Sequence, residues 1–150
     1  MDTKDKRKLT FQFFNEIGII QQLATTAFNR RLPDGLHVSH FSILNHLIRL
    51  GDGKTPLELS DAFQVTKGTM THTLGALSKR DFIKLSPHPS DGRSKIVFLT
   101  DSGRTFHASA IESLAPLMHI MEHNFDLNEL ANMLPKLQEV RAILDKHRDV

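Results

Sequence analysis

The chain has 150 residues, 39% hydrophobic and 24% charged, which is long enough to bury a core without metal or disulfide staples and too apolar for global disorder. It has no cysteine, which excludes disulfides, a thiol nucleophile, a thiolate zinc site and thiol-based redox sensing. The formal net charge is only +2, but its distribution is uneven. Gln64 to Lys95 carries six basic residues against two acidic ones, whereas the chain from Asp101 onward carries five basic against eight acidic. Either only the centre faces a polyanion, or the solvated surface is simply uneven.

Met1 to Lys8 is highly charged and leads into no signal-type apolar run, and no apolar stretch approaches the roughly 18 residues of a membrane span. A single cytoplasmic domain over residues 1–150 is expected. From Thr10 to Arg31, apolar residues recur at helical spacing (Phe13, Ile17, Ile20, Ala27, Phe28). Phe11, Phe14 and Ile19 widen the stripe beyond one face. Pro33-Asp34-Gly35 ends this helix. Ser39 is the expected cap of a second helix reaching about Leu50, with Phe41, Leu44, Leu47 and Ile48 turned inward.

Thr55-Pro56-Leu57-Glu58 forms a capping box with proline at the first helical position, so a short helix runs from there to about Phe63. Thr66 caps the next helix, which ends near Arg80. Met70, Leu74 and Leu77 share its apolar face, and Val65 is expected to pack just before it. Gly68, Thr71, His72, Gly75 and Lys79 occupy the opposite face, with Lys67, Thr69 and Thr73 at its margins. Two glycines cost such a helix about 1 kcal/mol each relative to alanine, which makes sense where a backbone must come close to another molecule.

Phe82–Leu85 and Lys95–Leu99 have strand composition and flank the polar loop Pro87-His88-Pro89-Ser90-Asp91-Gly92-Arg93-Ser94. Thr100 caps a long helix to about Asn124 with a kink expected at Pro116. Asp126 to Glu129 opens a last helix to about His147 with a second bend expected at Pro135. The expected fold is therefore mainly α with a small β-hairpin, in which a helix-turn-helix is followed by a wing. A helix fits the major groove of DNA, and an arginine on a thin loop reaches the minor groove.

In this order the residues resemble the MarR family of bacterial winged-helix regulators, over essentially the whole chain. Leu59-Ser60-Asp61-Ala62-Phe63 matches the first motif helix, and Val65 to Thr71 the turn and start of the recognition helix. Leu77-Ser78-Lys79-Arg80-Asp81-Phe82-Ile83 matches the exit into the wing. Asp91-Gly92-Arg93 matches the aspartate–arginine wing motif, and Leu99-Thr100-Asp101-Ser102-Gly103 the start of the following helix. Two positions depart from the pattern. Asp81 stands where the family usually has glycine, and Gly92 stands where it has the first of two wing arginines. The resemblance implies a homodimeric transcriptional regulator, most often a repressor. It implies a DNA-binding lobe over about residues 37–100, and dimerisation helices over about 9–32 and 101–148.

The expected DNA contacts are Thr66, Lys67, Gly68, Thr69, Thr71, His72 and Thr73 on the recognition helix and Ser90, Asp91 and Arg93 on the wing. Hydroxyls suit phosphate oxygens, and the threonine methyl suits the thymine methyl. Arg93 is the minor-groove candidate, with Asp91 holding its side chain or the loop; a plain solvated turn is the competing reading. Lys79, Arg80 and Lys84 read equally well as ordinary surface. The terminal helices carry more apolar residues than one small domain buries, which favours a two-fold dimer on a pseudo-palindromic operator.

Family resemblance also implies release by a small effector, often aromatic or acidic, for which Phe28, Arg31, His37, His40 and Phe41 are candidate pocket residues. His119 and His123 at i, i+4 and His37 and His40 at i, i+3 raise the question of a metal. No His-Glu-x-x-His pattern or convergent carboxylate supports either pair, and neither a metal nor a cofactor is expected. No nucleophile elbow or phosphate loop is present, so an enzyme is not expected. The readings left beside a DNA-binding regulator are a winged-helix protein-interaction module and a histidine-based metal-responsive regulator.

Overall fold

The side chain of Asp2 accepts the Asp5 N–H at 2.8 Å and starts helix α1, Thr3–Asn29. The computed structural model describes Met1 to Val150, and in it the charged first turns are helical. Apolar periodicity begins only near Thr10, but lysine and arginine are good helix formers and extend the helix toward the N-terminus. Helix α2, Val38–Leu50, is capped by His37, not by Ser39: the Nδ1 of His40 accepts the His37 N–H at 2.9 Å. Its inward face includes Ile43 in place of Ile48, which is 38% exposed.

Three threonines start the next helices as their local chemistry dictates. Thr55 accepts the Glu58 N–H at 3.1 Å for α3, Pro56–Phe63. Thr66 accepts the Thr69 N–H at 3.1 Å for α4, Lys67–Lys79, and Thr100 accepts the Gly103 N–H at 2.9 Å for α5, Asp101–Glu112. Helices α3 and α4 both end in a left-handed residue, Gln64 at φ 52° and Asp81 at φ 62°. At each end two amides turn back onto the last helical carbonyls: Val65 to Ser60 and Gln64 to Asp61, then Phe82 to Leu77 and Asp81 to Ser78. This closure normally favours glycine, and the short polar side chain of Asp81 tolerates it.

Strands β1, Ile83–Pro87, and β2, Lys95–Leu99, form an antiparallel hairpin with Ile83 opposite Leu99 and Pro87 opposite Lys95. The α2–α3 loop adds a third rung. Val97 donates to the Lys54 carbonyl at 2.8 Å, Gly53 donates to the Val97 carbonyl at 3.1 Å, and Asp52 Oδ1 accepts the Leu99 N–H at 2.8 Å. One core joins Leu44 and Leu47 of α2, Leu59 of α3, Leu74 and Leu77 of α4, and Ile83 and Val97 of the hairpin. Each such side chain contributes about 1.5–3 kcal/mol by leaving water. A second cluster gathers Phe28, Leu32, Leu36 and Ala110, with Phe28 set edge-on against Phe41 at 4.7 Å.

The long trailing helix expected to kink at Pro116 is interrupted instead. Helix α5 stops at Glu112, and α6, Ala115–Asn124, begins just before the proline. Pro116 has no N–H for the Glu112 carbonyl and tolerates only the first turn of a helix. Helix α7, Leu127–Lys146, starts at Asp126, which accepts the Asn128 N–H at 2.9 Å, and carries Pro135 within it. The chain divides into two compact units, Met1–Leu114 and Ala115–Val150. No helix is long and apolar enough to cross a membrane.

Candidate nucleic-acid interface

Helix α4 is two-sided. Met70, Leu74 and Leu77 are buried in the core, and Lys67, Gly68, Thr69, Thr71, His72, Gly75 and Lys79 are exposed. Thr66 and Thr69 also bond to each other through their hydroxyls at 2.9 Å, so the start of the helix is rigid and polar. Thr73 departs from expectation. It is buried, and its hydroxyl donates to the Thr69 carbonyl at 2.9 Å, because the helix leans its 73 position onto the core. Its polar atom is satisfied within the helix, and Thr73 is not available as a groove contact. Val65, expected to pack, is 39% exposed.

The hairpin tip presents Ser90, Asp91 and Arg93 to solvent. Asp91 Oδ1 accepts the Arg93 main-chain N–H at 3.0 Å, so the carboxylate shapes the loop and leaves the guanidinium free of it. A cleft of about 480 Å³ lies between α3, α4 and the hairpin. Lys67, Thr71 and Gly75 line it from the helix, Arg93, Ser94 and Lys95 from the wing, and Pro56 and Leu57 from the start of α3. Helix α4 and the hairpin thus present three cations to one concavity, with polar and apolar walls. Sequence reasoning missed Lys95 and Ser94. Their place one and two residues past Arg93, in a strand that must return alongside the helix, was the available signal.

Four of the five residues expected to line an effector pocket engage neighbouring side chains or main chain. Phe28 and Phe41 fill the second core cluster, and Phe41 stacks on His107 at 4.9 Å. Arg31, just past α1, donates to the Ala27 carbonyl of that helix at 2.7 Å, and His40 is consumed in capping α2. His37 borders a depression of about 400 Å³, whose other walls include Asn29, Arg30, Pro33, Asp34 and Gly35.

Three histidines in the first unit are held below their ordinary pKa by burial. The nearby His37 adds to the effect at His40, and Arg49 and Lys54 add to it at His46, which lies 5.2 Å from Phe63. For His107 burial is the cause, and its Nε2 bonds Asn45 at 3.0 Å. The His119 and His123 rings lie 4.0 Å apart on α6, with His123 Nδ1 on the His119 carbonyl at 2.9 Å. No group of three or more potential metal-binding side chains converges anywhere in the chain.

This arrangement has known counterparts. Residues 34–94 match the model of the MarR family. Over those residues the chain is similar to that family. The match runs from the α1–α2 loop through α2, α3, α4 and β1 to the loop at the hairpin tip, ending just before β2. A MarR transcriptional regulator from Methanosarcina mazei superposes with a TM-score of 0.73 at 23% identity, over 89% of this chain and 99% of that one. The transcriptional regulator BldR from Sulfolobus solfataricus gives 0.71 at 25% identity, over 93% and 99%. A MarR mutant from E. coli complexed with operator DNA gives 0.68 at 24% identity, over 93% and 99%. No curated protein sequence matches the chain. These matched structures are of transcriptional regulators.

Proposed function

We propose that this chain regulates transcription by binding double-stranded DNA as a homodimer, with α4 in the major groove and Arg93 in the adjacent minor groove. The observation that carries this reading is the shared cleft, in which Lys67 and Thr71 of α4 face the same concavity as Arg93 and Lys95 of the wing. Thr66, Lys67, Gly68, Thr69, Thr71 and His72 meet phosphates and base edges, while Ser90 and Asp91 shape the loop that delivers Arg93. Residues 37–100 form the DNA-binding lobe, and residues 9–32 and 101–148 the dimerisation region.

The apolar surface supports self-association. Phe11, Ile20 and Leu23 of α1 are at least 61% exposed, and Ile120, Leu134 and Leu144 of the second unit are at least 51% exposed. Exposure on this scale is what a partner subunit covers. A two-fold pair sets two α4 helices about one DNA turn apart and reads a pseudo-palindrome. In a bacterial cytoplasm such a dimer acts most simply as a repressor, released by an aromatic or acidic effector that favours a spacing unmatched to the groove.

Fragments selected from sheared genomic DNA test the reading. Affinity for a recovered duplex should fall with salt at a log–log slope near −0.9 per neutralised phosphate. Arg93→Ala should weaken binding by about tenfold, and sedimentation should give a dimer. A monomer that binds no duplex, or an Arg93→Ala variant with undiminished affinity, overturns it.

A further inference from the structure

The tip of the wing is organised by one ring. His88 Nδ1 lies 3.1 Å from the Ser90 N–H, 3.2 Å from the Asp91 N–H and 3.2 Å from the Ser90 hydroxyl. Main-chain amides only donate, so Nδ1 is the unprotonated nitrogen and the ring proton sits on Nε2. This is the task an asparagine or aspartate side chain performs in a turn, taking the amides two and three residues onward. The order then propagates. Asp91 receives the Arg93 amide on Oδ1 at 3.0 Å and the Ser94 amide on its carbonyl at 3.1 Å. Ser94 in turn receives the His88 amide at 3.1 Å, closing the loop.

We propose that His88 is the positioning residue of the wing: its neutral imidazole holds the loop in the shape that presents Arg93, and a second proton on the ring releases that shape and weakens DNA binding. An imidazolium has two N–H donors and no acceptor, so both amide contacts to Nδ1 are lost together, while the Ser90 hydroxyl can turn to accept from the ring. The charged side chains of the hairpin are Lys84, Asp91, Arg93 and Lys95, with Lys67 across the cleft, and none of them hydrogen-bonds the ring. An added positive charge on the wing would by itself strengthen attraction to phosphate. A loss of affinity on acidification therefore distinguishes the missing acceptor from the gained charge. The inference rests on the reading of Arg93 as a groove contact.

The test uses the full chain and a labelled duplex recovered by selection from sheared genomic DNA. Affinities are compared for the unaltered chain, Arg93→Ala, His88→Ala and His88→Asn at about pH 7.5 and about pH 5.5, with circular dichroism confirming that each is folded. His88→Ala should weaken binding by about fivefold to twentyfold at the higher pH, while His88→Asn, which keeps an acceptor oxygen, stays within about threefold. The unaltered chain should lose more affinity on acidification than His88→Asn. His72 of α4 is present in both, so the difference isolates the wing. If Arg93→Ala weakens binding and His88→Ala does not, the positioning role is wrong. If both histidine variants lose affinity with acid as the unaltered chain does, the protonation step is wrong. If Arg93→Ala binds undiminished, the wing contact itself fails, and that outcome is distinct from the other two.

Discussion

The guanidinium of Arg80, one residue past α4, donates to the main-chain carbonyl of Asp34 in the loop after α1. Gly35 beside it sits at φ +81°, and a Cβ there would lie 3.1 Å from the same guanidinium nitrogen. The end of α4 is thereby tied to the loop bordering the depression at His37. Arg80→Ala should lower stability by about 1 kcal/mol, as expected for an exposed hydrogen bond to a charged donor. Gly35→Ala should cost at least as much, because its backbone is left-handed. Urea denaturation of the two single variants and the double variant should show costs that do not add, since both act on one contact.

Gly103 is the most tightly packed of the glycines. A Cβ there would lie 2.1 Å from the Phe82 carbonyl oxygen, and backbone cannot step aside. Gly103→Ala should destabilise by about 2–3 kcal/mol or more. Gly75, where a Cβ would meet nothing within 4 Å, should behave in the opposite way. Gly75→Ala should raise stability by up to about 1 kcal/mol and weaken DNA binding. Thermal melts and duplex titrations of the two variants check both halves.

Thr71 and Thr73 separate surface from support. Thr71→Ala removes an exposed hydroxyl in the cleft and should weaken DNA binding with stability changed by less than about 0.5 kcal/mol. Thr73→Ala removes a buried methyl and a satisfied hydroxyl, and should cost about 1 kcal/mol of stability. Denaturation midpoints and duplex affinities measured together decide the matter, and a Thr73→Ala loss of affinity without loss of stability would contradict the assignment.

Acid should destabilise the fold through His40, His46 and His107, each held below the ordinary value of 6.5 by burial. The unfolded chain binds more protons than the native one wherever a folded pKa is depressed, so stability rises with pH. The contribution is complete above the unfolded value and is lost as pH falls from there through the lowered folded values. Denaturant midpoints measured from about pH 7.5 downward should therefore fall once pH drops below about 6.5. Replacing His107 with glutamine, which keeps a polar partner for Asn45, should flatten part of that fall.

What could be read from the residues was what depends on near neighbours. Thr55, Thr66 and Thr100 cap helices through bonds spanning three residues, so each helix start was visible. The capping of α2 by His37 and His40 was not, because an imidazole nitrogen rarely does that work and Ser39 offered the commoner chemistry. Thr73 lay at the margin of a polar face, and only the lean of α4 onto Leu44 and Leu59 decides which side of that margin is wet. The third rung of the wing at Gly53 and Lys54 is too short to carry a period of its own. In the interface, composition pointed to Arg93 and Thr71, whereas the part played by His88 follows from where its Nδ1 lies and from nothing in the residue order.

The root of the hairpin is clasped by Asp52 and Lys54 from another loop, while its tip is held only by bonds within the loop, through His88, Asp91 and Ser94. Solvent deuterium should therefore enter the wing as a gradient. The amides of Val97 and Leu99 should exchange only in openings close to global unfolding, and those of Ser90 and Asp91 through local fraying that leaves the core intact. A wing of this kind stays in register at its base while its end adapts to the width of whatever groove it meets.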